Sequence, residues 1–182
     1  MKENREIKVK TYLAIILIVF LFTSCSYDHI YIANTNFKQL KKAELKDYGA
    51  IGIGLCASFL THELAHITLL EIFNADYKIK LEGTEPYIYF DDKNLSNNKV
   101  RWVARAGLLS QNLVGLFLSK DSYFTLGYNS MSAIQTLTYP LRSDGKGDLN
   151  TLDRYKSYKK QAEIEWCIYS LISVHNLLRI EW

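Results

Sequence analysis

The chain carries little net charge and no concentrated basic patch. Its 22 Lys and Arg against 19 Asp and Glu leave a formal charge of +3. Outside the N-terminal segment and K-Q-L-K-K (Lys38 to Lys42), the positive residues are spread along the sequence. A nucleic-acid footprint needs Lys and Arg gathered on one face or stripe, so nucleic acid is not an expected partner. There is no internal repeat and no low-complexity tract. Hydrophobic residues make up 48% and charged residues 23%, a balance that argues against disorder over the whole chain. At 182 residues the expectation is one domain with a single core. Gly49, Gly52 and Gly54 have neither the preceding strand nor the full glycine spacing of a phosphate-cradling loop. Close helix packing is their expected role.

What is present is a strong segregation of apolar and polar stretches. Met1 to Lys10 carries Lys2, Arg5, Lys8 and Lys10, followed by the short apolar run T-Y-L-A-I-I-L-I-V-F-L-F-T-S-C. A basic region, a short apolar region and small residues at its end make a secretory signal. The run is short for a spanning helix, which needs roughly 20 apolar residues. Its ending F-T-S-C (Phe22 to Cys25) resembles a bacterial lipobox, although Phe22 stands where Leu is usual. The resemblance implies that Cys25 is lipidated and becomes the first mature residue, with membrane lipid as a partner and the bacterial cell envelope as the location. An uncleaved anchor helix is the alternative. Residues 1–24 are thus expected to be a signal peptide, 25–47 a tether and helix start, and 48–182 a membrane-associated helical domain. Ser26 after the cysteine is not the Asp of inner-membrane retention, which favours an outer membrane in a two-membrane cell. Cys56 and Cys167 either pair in an oxidising compartment or stay free.

The predicted fold class is mainly α, a bundle of about four apolar helices with a small β-hairpin. Gly49 to Phe73 is the first long apolar helix. Y-K-I-K-L (Tyr77 to Leu81) and P-Y-I-Y-F (Pro86 to Phe90) flank a short loop with Gly83 and read as the hairpin. Asp91 to Lys99 reads as a polar loop, Arg101 to Ser119 as a second helix and Tyr123 to Leu141 as a third apolar stretch. Arg142 to Asn150 reads as a loop, and a last helix is expected from near Asp148.

The first helix contains T-H-E-L-A-H (Thr61 to His66). His62 and His66 are four apart, so on a helix they project from one face a turn apart and can meet one metal ion. Glu63 is rotated about 100° from His62, beside such an ion without having to ligate it. A zinc ion held there lowers the pKa of water toward about 7, and Glu63 is placed to take the proton. Burying two imidazoles and a carboxylate without partners costs several kcal/mol, which argues against an idle group. A third protein ligand is expected. The candidates are Glu71, Asp144, Asp148, Asp153 and His175. Glu71 points about 140° away from His66 on the same helix. Of the loop aspartates, Asp148 is weighed equally as ligand and as N-cap of the last helix, with Asp144 in reserve.

This H-E-x-x-H in an apolar helix, a hairpin, a helix bearing A-G-L-L-S-Q-N-L (Ala106 to Leu113), and then Pro140 with Asp144-Gly145, resembles the site-2 protease family of membrane metallopeptidases. The resemblance implies that His62 and His66 are zinc ligands and Glu63 the catalytic base. It further implies a third ligand that is an aspartate from a later segment, and hydrolysis of a polypeptide substrate at a membrane. Pro140 and Asp144 only approximate the family's Asn-Pro-Asp-Gly motif, so Asp144 and Asp148 both stay open. The alternative is a non-catalytic zinc-binding or structural lipoprotein of the envelope. Arg105 and Asn112, both in the second helix, are expected to pack or be solvated rather than to stabilise charge.

Overall fold

The computed structural model describes residues 43–82, 85–139 and 159–180. Within them the chain is mainly helical, with one two-stranded antiparallel sheet, in the order α1 (Leu45–Ile72), β1 (Tyr77–Glu82), β2 (Glu85–Phe90), α2 (Asn97–Phe117), α3 (Tyr123–Thr138) and α4 (Lys159–Leu178). The expected bundle with a hairpin after the H-E-x-x-H helix is what forms. The signal segment, Cys25, the tether up to residue 42, Pro140, Asp144, Asp148 and Asp153 all lie outside the described residues.

Local chemistry sets the ends of the elements. The backbone N–H of Glu44 donates to the Asp47 carboxylate at 2.8 Å, closing the start of α1. At its other end Asn74 takes a φ of 52°. That left-handed turn, which asparagine tolerates better than most residues, reverses the chain into β1. Tyr77 pairs with Phe90 and Ile79 with Ile88 along the hairpin. The second helix starts at Asn97, four residues before the predicted Arg101, because Ser96 caps it and accepts from the Lys99 N–H. The polar loop is correspondingly shorter, and Asp92–Asn94 form a single 3₁₀ turn within it.

The side-chain pairings fix an up-down-up-down arrangement. Ser58 and His62 on α1 meet Gln111 on α2, whereas the later His66 meets the earlier Val103, so these helices are antiparallel. Gln111 and Asn112 meet Gln135 and Ser132 on α3 in the same reversed sense. α4 runs alongside α2, with Glu165 at Arg105 and Asn176 at Asn112.

α1 and α3 cross in near backbone contact. A Cβ placed on Gly54 would lie 2.1 Å from the Phe124 carbonyl oxygen, and one on Gly127 would lie 2.1 Å from the Ile51 carbonyl oxygen. Each helix therefore needs the other's glycine. Among the described residues the packing role expected for all three early glycines falls to Gly54 alone, because a Cβ on Gly49 or Gly52 would meet none of them within 4 Å.

The interior of this bundle is unusually polar and its exterior unusually apolar. Ser58, His62, His66, Gln111, Asn112, Thr125, Asn129, Ser132, Thr136, Ser173 and Asn176 are buried. Ile53, Leu60, Leu64, Phe117, Ile134 and Leu171 are exposed. The clearest apolar core joins α2, the end of α3 and α4 through Leu108, Tyr139, Trp166 and Tyr169, where the Trp166 indole N–H donates to the Thr136 carbonyl at 2.9 Å. Helices packed through glycines and polar side chains, with large apolar residues outward, are the arrangement that lipid favours. Among the described residues α1 is the one helix long and apolar enough to cross a membrane. Its 28 residues extend about 42 Å at 1.5 Å each, more than the roughly 30 Å of a hydrocarbon core.

Candidate metal centre

The inward-facing residues of α1 are Gly54, Ser58, His62, His66 and Leu70, spaced four apart throughout. A step of four residues turns a helix by about 400°, so this stripe drifts by roughly 40° per step. It accordingly faces α3 at Gly54 and has rotated onto α2 by His62 and His66.

Both imidazoles are buried, with 6% and 7% of their surfaces exposed. Their Nε2 atoms stand 3.3 Å apart, with the rings edge-to-face at 71°. The opposite nitrogens are committed elsewhere. His66 Nδ1 lies 2.7 Å from the Val103 carbonyl oxygen, which can only accept, so His66 carries a proton on Nδ1. His62 Nδ1 lies 3.3 Å from Gln111 Oε1. A histidine that ligates a metal through one nitrogen generally gives its other N–H to a carbonyl or carboxylate, and both rings have such a partner.

The spacing suits a shared cation. Two nitrogens each about 2.05 Å from a tetrahedral zinc are about 3.3–3.4 Å apart, matching the 3.3 Å between the two Nε2 atoms. Room for the pair comes from Gly107 on α2. A Cβ there would sit 2.4 Å from His66 Nε2 and 2.6 Å from His62 Nε2. Val103, Gly107 and Gln111 recur every four residues on the face of α2 turned to the histidines.

Glu63 follows His62 and is half-buried at the edge of this group. Two of the five candidates for the third ligand stand elsewhere. Glu71 is exposed and accepts a hydrogen bond from the Tyr77 hydroxyl at 2.9 Å, and His175 is exposed on α4. No third His, Cys, Asp or Glu completes a metal-binding group among the described residues. Tyr139, the last described residue before the segment that carries Asp144, Asp148 and Asp153, is buried in the cluster that holds Ala104 and Leu108, on the turns of α2 beside the histidines.

The other expectations resolve as packing. Arg105 donates to both oxygens of Glu165, at 2.7 and 2.5 Å, and lies over the Trp102 ring, binding α2 to α4. Asn112 is buried and donates to the Leu108 carbonyl. Cys56 and Cys167 are free thiols, so they do not pair. Sequence spacing did not reveal Gln111, Gly107 or the Val103 carbonyl. The one available signal was a glutamine at position 111 following the apolar run A-G-L-L of α2.

No protein-family model, curated protein or solved structure matches this chain.

Proposed function

We propose that the chain is a membrane-associated zinc metallopeptidase that hydrolyses polypeptide substrates. The observation that carries this reading is the pair of buried Nε2 atoms 3.3 Å apart, both backed by acceptors on Nδ1. His62, His66 and an aspartate from the segment before α4, Asp148 or Asp144, would hold the ion. A bound zinc would act as a Lewis acid toward the scissile carbonyl and toward water. Glu63, one residue from the first ligand, takes the proton of the attacking water and returns it to the leaving amine. The Val103 carbonyl holds the Nδ1 proton of His66, and the missing side chain at Gly107 lets α2 lie against both rings.

The apolar exterior and α1 support a membrane setting, and the N-terminal segment ending at Cys25 supports a lipid anchor in a bacterial envelope. The experiment that tests the reading uses the full chain purified in detergent, with zinc measured by elemental analysis and cleavage measured on fluorescent casein. Glu63→Gln is expected to retain zinc and lose cleavage. Zinc retained with no Glu63-dependent cleavage would favour the non-catalytic zinc-binding or structural lipoprotein instead.

A further inference from the structure

The hydrogen bonds around His62 do not stop at the ring that contacts them. Gln111 is fully buried. Its Nε2 lies 2.6 Å from Ser58 Oγ on α1 and 2.6 Å from Gln135 Oε1 on α3, while its Oε1 faces His62 Nδ1 at 3.3 Å. A carboxamide oxygen only accepts and a carboxamide nitrogen only donates. The Gln135 oxygen therefore draws the Gln111 nitrogen toward α3, and this turns the Gln111 oxygen toward His62. That oxygen can only accept, so it favours the His62 proton on Nδ1, while the His62 Nε2 lies 3.3 Å from the Nε2 of His66.

We propose that Gln135 and Gln111 are positioning residues that fix the tautomer of His62 from α3, so that its Nε2, like that of His66, can act as a cation ligand. The proposal rests on the reading of His62 and His66 as metal ligands. The two rings are fixed by different means. His66 is fixed by a backbone carbonyl, which side-chain substitution cannot remove, whereas His62 is fixed by a side chain whose own orientation is set by a second glutamine. His66 is thus an internal control for His62.

The test uses the full chain in detergent, stripped of metal and labelled with ¹⁵N-histidine, with tautomers read from long-range ¹H–¹⁵N correlations of its four histidines. In the unsubstituted chain both His62 and His66 are expected to be protonated at Nδ1. Gln111→Met keeps the side-chain volume without an acceptor; His62 is expected to move toward the Nε2–H form while His66 does not. Zinc affinity, measured by competition with a chromogenic chelator, is expected to fall about 10- to 100-fold, the usual effect of losing a partner behind a ligand. Gln111→Glu restores an acceptor at Nδ1 and is expected to restore the tautomer. Should Gln111→Met fail to fold, Gln135→Leu reads the same signal, because it frees the Gln111 carboxamide to turn.

An Nε2–H tautomer at His62 in the unsubstituted chain overturns the proposal. So does an unchanged His62 in Gln111→Met, or a His66 that moves as far as His62. Equal zinc affinity in the two proteins removes the relay's role while leaving the zinc reading intact. The stated tautomers with no zinc bound support the relay and reject the zinc reading.

Discussion

Gly107 lies so close to His66 that a methyl group added to it would come within 2.4 Å of Nε2. The same methyl would meet His62 Nε2 at 2.6 Å, so one missing side chain on α2 lets that helix lie against both rings. Gly107→Ala is expected to push the rings apart and lower zinc affinity at least about tenfold. Overpacking of this kind also costs about 1–3 kcal/mol of stability. Chelator competition checks the first effect and thermal unfolding the second, and near-normal zinc affinity in Gly107→Ala would contradict the geometry.

The α1–α3 crossing yields a second prediction. At Gly54 and Gly127 the atoms in the way are backbone, which cannot swing aside as a flexible side chain would. Gly54→Val or Gly127→Val is expected to destabilise the bundle by about 3 kcal/mol or more, toward the upper end for overpacked sites. Gly49→Ala and Gly52→Ala, whose added methyl groups would meet none of the described residues within 4 Å, are expected to be neutral or slightly stabilising in the helix. The four unfolding transitions, compared side by side, check this directly.

Leu60 and Leu64 test the membrane setting. Both are more than half exposed on α1, on the surface turned away from the stripe that carries the histidines. If that surface faces lipid, Leu64→Lys is expected to cost about 2.5–3.5 kcal/mol in a membrane-insertion assay. If it faces water, the substitution changes insertion little. Leu60→Lys should give the same sign.

Zinc is expected to stabilise the fold, because the unfolded chain does not bring the two imidazoles together. Free zinc at about 100 times its dissociation constant should add about 2.7 kcal/mol. His62→Ala and His66→Ala are each expected to abolish that increment, and EDTA is expected to remove it from the unsubstituted chain. Melting curves with and without added zinc measure it.

Much of the architecture was legible in the sequence, for physical reasons that can be named. The long apolar stretches announced the helices, the aromatic and β-branched runs around Gly83 announced the hairpin, and four-residue spacing put His62 and His66 on one face. The start of α2 was misplaced because Ser96, Asn97 and Asn98 have the composition of a loop, although Ser96 acts as a cap. Which glycine packs could not be read from α1 alone. Gly49, Gly52 and Gly54 look alike until α3 lies across the last of them.

The groups behind the imidazoles were the least legible. A backbone carbonyl such as that of Val103 leaves no mark in a sequence, and Gln111 gained its role only when α2 ran antiparallel to α1. The stripe on α1 was also concealed, because apolar residues surround the helix and the inward positions drift with a spacing of four. The third ligand expected at Asp148 or Asp144 lies outside the described residues.

The most direct measurement is zinc K-edge absorption spectroscopy on the full chain, purified in detergent and loaded with one equivalent of zinc. The expected spectrum has two imidazole nitrogens at about 2.0–2.1 Å with oxygen completing a four-coordinate shell, and one imidazole is lost in either His62→Ala or His66→Ala. A protein that holds no zinc, or a zinc site whose imidazole signal survives both substitutions, would contradict it.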